Sequence, residues 1–453
     1  MKLSRFVVFN PTFGPREEQE ALKLLFFWPA HTSVNVQRND VGLSEALIAF
    51  SKTFATAPAC AEVVTTLKHV YALHQPEPHY WCVLIAENES TPSAADPKLI
   101  EYDERSSLDG VLPALVRHAY DAFHLFAGRM ADVVAAHGPD ALRAALAHYL
   151  TPIVDALHVD RANVFDALHG IQFLPVDKNC YLGLQAFVNL TEQALPSVDE
   201  TAILYREHLV WSGFDQPTTR TLYALLLQRL RLGATDAGEP QQPAAATTTF
   251  ADVDCVQLSG GDESALDDAD QSVAPLVRGL GDRRLLVWQY DGVVCAWLLR
   301  RGAGMRELCD KLRQFAQPHV SAFAPALAQQ HALAYAAPVA TLGGSSGQAH
   351  RYIYFNHMNL ALKTSLRSRG RTISASVMRA ICDMHADFAK QSNGELMVKT
   401  GDDVWLVGRK ADHREFVVVF DRVKASSVNV IEVHEEVQRL CTTFFSSIFL
   451  TDP

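Results

Sequence analysis

Apolar and polar positions along the chain follow two periods, one of strands and one of helices, and the same succession of the two recurs three times. Arg5–Asn10 (RFVVFN) and Leu22–Trp28 (LKLLFFW) are apolar runs of strand length. A helix is predicted over Val41–Phe54. After a turn-rich piece come a strand at Tyr80–Ala86 (YWCVLIA) and a long helix over Leu112–Ala131. In the second copy Ala202–Tyr205 and Leu209–Ser212 flank a tight turn. Asp215 then stands where it can cap a helix that carries Pro217 in its first turn and runs to about Leu232. Leu285–Tyr290 and Val293–Leu299 meet at Asp291-Gly292, a pair that readily adopts the positive φ angles of a two-residue hairpin. The helix Met305–Phe323 closes the copy. The third copy reads Tyr352–Phe355, a short strand near Thr372, a helix at Ser376–Lys390, strands at Leu396–Thr400, Val404–Arg409 and Phe416–Phe420, and a last helix at Val433–Phe449.

Spacing supports these elements. Val433, Val437, Leu440, Cys441, Phe444 and Ile448 step by threes and fours and share one helix face, as do Val377, Ile381, Met384 and Phe388. Val404-Trp405-Leu406-Val407 is apolar throughout, as in a strand covered on both faces. Each copy therefore reads two strands, helix, strands, helix, an α/β (α+β) class in which a mostly antiparallel sheet lies between helices. The predicted layout is a first domain over 1–135, a helical connector over 136–180, a second domain over 181–335 and a third over 350–453. From Ala234 to about Pro275 the chain is rich in Ala, Thr, Pro, Gly and Asp and has no period, which predicts a disordered insertion near 234–275. Gly343–Gly347 (GGSSG) reads as a shorter linker.

Composition narrows the function. The 453 residues are 48 % hydrophobic and 20 % charged, enough to bury more than one core. The net charge of −11 disfavours nucleic acid as a partner and leaves membrane contact to a local basic patch. No apolar run approaches the roughly 20 residues that span a bilayer. The start, Met1–Arg5 and four apolar residues before Asn10-Pro11, does not read as a signal peptide. Eight cysteines form no CxxC pair, and several sit in apolar runs, as core thiols of a cytoplasmic protein do. Walker, GxGxxG and HExxH patterns are absent from the sequence. Gly343–Gly347 fits GxSxG in letters, but a nucleophile elbow needs a strand before it and a helix after it, and here a flexible linker precedes a strand. The acidic run Asp262–Asp270 lacks the spacing of a calcium loop. The 18 histidines are scattered. No catalytic residue, metal or cofactor is expected.

Two features remain. On the helix from Val41, Leu43, Leu47, Phe50 and Phe54 are read as the core face, which leaves Ser44, Ile48 and Lys52 as a second stripe spaced by four. Ile48 would then be apolar on the solvent side, either as the edge of a wide core face or as a contact for a partner. The second feature is Lys363, Arg367, Arg369 and Arg371 in LKTSLRSRGRTIS, a basic cluster that suits either a solvated loop or anionic lipid head groups.

The segments FNPTFGPREEQE, NDVGLSEALIAFSKTF, FDALHGIQFLPVDK, ILYREHLVWSG, YIYFNHMNLA and IEVHEEVQRLCTTFFSSIF, spread from Phe9 to Phe449, resemble the metazoan Ccz family of vacuolar fusion proteins. The resemblance implies three longin domains, each a five-stranded antiparallel sheet with helices on both faces. It implies pairing with a Mon subunit of the same build, a β-propeller third subunit in animals, and exchange activity toward a late-endosomal Rab GTPase of the type seven class. It also implies peripheral placement on late endosomes and lysosomes, work without covalent catalysis, and a GTPase platform that includes the first helix, here Asp40–Phe54. In that setting Ser44, Ile48 and Lys52 become candidate Rab or partner contacts, and Lys363, Arg367, Arg369 and Arg371 a candidate phosphoinositide contact. A tri-longin scaffold without exchange activity is the alternative.

Overall fold

Runs of β-branched and aromatic residues build three antiparallel sheets with one and the same strand order. The computed structural model describes residues 1–444 apart from 15–18, 55–59, 93–99, 103–109, 236–275, 282, 301–304, 336–341, 344–348, 367–372 and 421–429. In the first unit β1 (Lys2–Phe9), β2 (Leu24–Trp28), β3 (Val63–Thr65), β4 (His69–Glu77) and β5 (Tyr80–Glu87) lie in the order β2-β1-β5-β4-β3. Helix α1 (Glu20–Lys23) precedes β2 and α2 (Val34–Phe54) follows it. The strands β6 (Ser90–Pro92) and β7 (Ile100–Tyr102) pair with each other, and α3 (Leu112–Ala127) comes next. The connector holds α4 (Met130–His137), α5 (Pro139–Asp155), α6 (Val164–Leu168) and α7 (Lys178–Ala194).

The second unit repeats the plan. It has β8 (Val198–Tyr205), β9 (His208–Ser212), α8 (Gln216–Thr235), β10 (Leu276–Val277), β11 (Arg283–Tyr290), β12 (Val293–Leu299) and α9 (Met305–Tyr335), with strand order β9-β8-β12-β11-β10. In the third unit β13 (Leu342–Gly343) adds to β14 (Ala349–Asn356). The unit continues with β15 (Ala361–Thr364), α10 (Ala375–Ala389), β16 (Asn393–Lys399), β17 (Trp405–Ala411), β18 (Arg414–Phe420) and α11 (Val430–Phe444). Its order, β15-β14-β18-β17-β16, is the same again.

Local chemistry sets many of the boundaries. The Asp291-Gly292 turn has φ of 47° and 75°, which only a two-residue hairpin of this kind tolerates easily. Asp215 Oδ1 accepts from the Thr218 amide at 3.0 Å and caps α8. The single helix predicted over Leu112–Ala131 is instead two, because Gly128, at φ 80°, ends α3 and Glu77 caps α4. Glu77, buried on β4, accepts from the Tyr120 hydroxyl at 2.7 Å and from the amides of Met130 and Ala131 at 2.7 and 3.0 Å. Helix α2 starts seven residues earlier than predicted, since Val34–Asn39 is mostly exposed and carries no core period. Helix α9 runs past Phe323 through two prolines. Pro318 and Pro325 face solvent while Val320, Ala324 and Leu327 stay buried. The third unit takes β15 as its second strand, whereas Thr372 lies outside the described residues, as do the predicted insertion from residue 236 to 275 and the linker beyond Gly343.

The cores are shared between units. One face of the first sheet (Phe6, Val8, Cys82, Leu84) packs on α3 and α5. The same cluster continues through Val164, Phe165 and Leu168 of α6 to Ile381 and Met384 of α10 and the third sheet. The second sheet packs one face on α7 and α9 and the other on α8, where Leu125 and Phe126 of α3 complete the layer. Helix α11 covers the remaining face of the third sheet with Val433, Val437, Leu440 and Cys441. Between the second and third units runs a short extended strut. Ile171 N–H donates to Leu360 O at 2.7 Å and Leu209 N–H donates to Gln172 O at 2.8 Å, so Ile171–Phe173 seals the edges of β15 and β9 together. No helix among the described residues is long and apolar enough to cross a membrane.

Candidate partner-binding site

Helix α2 alone lies on the second face of the first sheet, over Val7, Phe9, Phe27, Tyr71, Leu73, Trp81, Val83 and Ile85. The residues it turns inward are Asp40, Val41, Ser44 and Ile48. Asp40 meets Arg5 of β1 at 3.1 Å, and Arg5 in turn lies 3.1 Å from His69 Nε2 on β4. Burial pushes the Asp40 carboxyl up, against the pull of the Arg5 charge and hydrogen bond. One turn on, Ser44 has no exposed surface, and its hydroxyl donates to Asp40 O at 2.7 Å. A residue this small, with its polar group satisfied by its own helix, lets α2 sit close to the sheet. Ile48 fills the next position at 6 % exposure.

The expected faces of α2 are therefore exchanged. Ser44 and Ile48 belong to the core and are not available to a partner in this fold. Leu43, Phe50 and Phe54, read from the sequence as core, are 43 %, 65 % and 72 % exposed, and Leu47 is partly covered. The physical reason is the Arg5–Asp40 pair. It ties the Asp40–Ser44–Ile48 stripe to the sheet, and a helix so anchored must turn Leu43, Phe50 and Phe54 outward. Lys52, at the end of the same stripe, emerges to solvent and places Nζ 5.3 Å from the centre of the Trp81 ring.

The outer face of α2 is apolar and almost uncharged. Phe50 and Phe54 meet edge to face at 4.9 Å. Gly42, Ala46 and Ala49 are exposed beside them. Between Gly42 and Ser51 the charged residue is Glu45, which pairs with Lys23 at 3.0 Å. Beside this face a shallow pocket of about 170 Å³ opens between α1 and α2, lined by Val34, Arg38, Gly42 and Glu45 among others. Such a surface can bury apolar area against another protein. The sequence did carry a signal for it, since Gly42, Ala46 and Ala49 share a side with Leu43 and Phe50, an odd composition for a face meant to fill a sheet.

Of the basic cluster, Lys363 is exposed on β15, while Arg367, Arg369 and Arg371 lie outside the described residues. No group of three or more His, Cys, Asp or Glu among the described residues is arranged to hold a metal ion. The densest polar cluster is in the third unit. Buried Glu415 has His357 Nε2 and His385 Nδ1 each 2.8 Å from one of its oxygens, with Lys410 Nζ at 3.9 Å. Burial pushes the Glu415 carboxyl up, but the two histidine hydrogen bonds and charges outweigh it and hold the group at about 2.

Comparison with known proteins adds family to this geometry. Residues 3–128 match the domain family described as the first longin domain of INTU, CCZ1 and HPS4, and residues 346–440 match the one described as Intu longin-like domain 3. A protein of Nematostella vectensis named vacuolar fusion protein CCZ1 homolog is 33 % identical, the match covering 99 % of this chain and 98 % of that one. Proteins of the same name from Danio rerio and Tetraodon nigroviridis are each 31 % identical over 99 % of this chain and 96 % of theirs.

Proposed function

We propose that this chain, which belongs to the family of vacuolar fusion protein CCZ1 homologs, acts in vesicle fusion with the lysosome or vacuole as a non-catalytic subunit of a guanine-nucleotide exchange factor. The GTPase is a late-endosomal Rab of the type seven class, and the other core subunit is a Mon-like protein with the same three-longin build. A β-propeller subunit completes the assembly in animals, and the complex works peripherally on late endosomes. Support comes from the family and from three units of one sheet plan, the first of which carries an exposed apolar helix face.

The mechanism needs no acid, base or nucleophile. A GTPase holds its nucleotide through its phosphate loop, magnesium and ordered switch segments. A protein that binds the empty form more tightly than the loaded one must weaken nucleotide binding by the same factor. What it needs is a rigid surface that displaces a switch, and the first sheet with α2 is such a surface. The observation that carries this reading is the exposed apolar face of Leu43, Phe50 and Phe54, with Leu47 partly covered beside them. In the proposed complex that face is covered by the Mon-like subunit and the GTPase, and Lys52 stands at its rim.

The test is release of a fluorescent GDP analogue from a panel of Rab proteins, with this chain alone, with its Mon-like partner, and with the pair carrying Phe50→Asp and Phe54→Asp. The expected result is slow release with the chain alone, fast release from one Rab with the pair, and loss of that gain in the double variant. Undiminished exchange by the variant pair would remove α2 from the site. A pair that forms and never accelerates release from any Rab would leave a tri-longin scaffold as the function. Lys363, with the neighbouring arginines, is proposed to touch anionic phosphoinositides, which binding to such vesicles at low and high salt would test.

A further inference from the structure

A second candidate surface lies on the first unit away from α2, at the opposite edge of its sheet from β3. The edges of β9 and β15 are sealed by the strut at Ile171–Phe173, whereas no strand pairs with the outer side of β2 among the described residues. Helix α5 runs alongside β2 and is anchored in the core by Leu142, Leu146, Leu150 and Val154. Between strand and helix opens a cleft of about 520 Å³. Phe26, Phe27 and Trp28 line the strand side and the smaller Ala147 and Thr151 the helix side.

The two ends of the cleft differ in charge. At one end Arg143 donates from Nε and Nη2 to the carbonyl oxygens of Leu24 and Leu22 at 3.3 and 3.0 Å, and its Nη1 meets Asp140 at 2.6 Å. That guanidinium already serves as the edge's partner there, and its charge is matched. At the other end Asp155 accepts the Trp28 indole N–H at 2.7 Å and is exposed to solvent, with no cation paired to it among the described residues.

We propose that this cleft binds an extended peptide segment of a partner protein. The peptide adds as a sixth strand beside Leu25–Trp28, presses alternate apolar side chains between the aromatic floor and α5, and sets a basic residue against Asp155. Three observations select this occupant. An open strand edge offers backbone donors and acceptors in strand register, which an extended chain matches and a helix face does not. Between the charged ends, the wall formed by α5 presents the small residues Ala147 and Thr151, which suits a thin extended chain. A second sheet edge would bring its own flanking helices against α5. The volume is that of a ligand pocket, within the range of about 300–1,000 Å³, and β2, at about 3.3 Å per residue, limits the added strand to a few residues.

The experiment selects a display library of random dodecapeptides on the full-length chain. The strongest binder is then measured by fluorescence anisotropy against wild type, Ala147→Arg and Thr151→Arg, each checked by thermal melt. Ala147 is exposed, so an arginine there fills the cleft without entering the core. The expected result is a family of peptides with alternating apolar positions and a Lys or Arg near one end. Binding should fall at least about tenfold in the arginine variants and be unchanged by Phe50→Asp on α2. Methylation of peptide backbone nitrogens should weaken binding at alternate residues only, the signature of an added strand. Failure to enrich any binder, binders of helical period, or binding indifferent to both Ala147→Arg and backbone methylation would each overturn the proposal. If Ala147→Arg alone fails to fold, Thr151→Arg and the methylated peptides decide.

Discussion

Helices α2 and α3 cover opposite faces of the same five-stranded sheet, and they do so in opposite ways. Helix α3 buries eleven of its sixteen residues. Leu112, Val116, Ala119 and Phe123 go into the core of its own unit, and Leu125 and Phe126 into the core of the second. Helix α2 is longer, at 21 residues, and buries four, two of them polar. A helix buried over most of its length is explained by the chain that surrounds it. A helix that turns its larger apolar groups outward leaves a face that the chain itself does not cover, as at a site for a partner. The difference separates what holds this protein together from what it offers to others, and each prediction below is a way to break or sharpen it.

The largest effect is expected on α3. Phe123 has no exposed surface, and Phe123→Ala should cost about 3–5 kcal/mol, read as a shift in the urea midpoint of the whole chain. If α3 truly joins two cores, the loss should appear as one cooperative transition. Early melting of the first unit alone would show that the second does not lean on it.

On α2 the comparable change is Ile48→Asp. It places a carboxylate in the cluster formed by the sheet and Val41, and should cost on the order of 3 kcal/mol, less if the helix end frays to hydrate it. The measurement is a thermal melt of the free chain. An unchanged melt would contradict the inward position of Ile48 and restore the face that the sequence suggested.

That reversal marks the limit of what the sequence makes legible. The three-fold plan, the Asp-Gly hairpin, the Asp215 cap, the inner face of α10 and that of α11 as far as Cys441 follow from local spacing, and the fold carries them, while residues 445–449 of the predicted last helix lie outside the described residues. Which face of α2 meets the sheet does not. Stripes 43–47–50–54 and 40–44–48–52 both obey helical spacing, and the deciding contact joins Asp40 to Arg5, 35 residues away. Long-range pairs of this kind leave no periodic trace. The break at Gly128 was hidden for the same reason, since Glu77 caps the second helix from 53 residues earlier in the chain. Helix α9 passes the predicted end at Phe323 because Pro318 and Pro325 both face solvent.

An intermediate effect tests how closely α3 is seated against the second unit. At Gly279 an added Cβ would overlap the backbone oxygen of His124, near the end of α3. Gly279→Ala must push the two apart, at a cost of about 1–3 kcal/mol. Loss of hydrogen-exchange protection should concentrate in α3 and α8, and protection as in wild type would mean that this contact is not tight.

The pH dependence has its own sign. Glu415 is held at about 2 in the fold against an ordinary 4.5. Its depressed value contributes stability that is present above 4.5 and fades as the pH falls from there toward 2. Glu415→Gln should flatten that part of the stability curve, read by melts in acid buffers, and the cluster lies in the third unit, away from both helices compared here.

The smallest effect is the most telling for α2. Phe50→Ser with Phe54→Ser removes two aromatic rings, and by size alone that would rival Phe123→Ala. In the free chain the rings touch chiefly each other and water, at 65 % and 72 % exposure and 4.9 Å apart. Their loss removes one edge-to-face contact, about 0.5–1.5 kcal/mol at most when well packed and less in solvent, while Ser and Phe have nearly the same helix propensity. The melt should therefore stay within about 1 kcal/mol of wild type, and the variant should be the more soluble of the two. In the proposed complex with a Mon-like subunit the same two changes should act as a hot spot, each costing about 2 kcal/mol or more of binding. A variant that is unstable alone would place the rings in a core of this chain's own. One that is stable alone and binds as wild type would leave the face without a partner. Stability alone with loss of binding is the outcome that makes α2 the counterpart of α3: the same kind of side chain, with its core supplied by another protein.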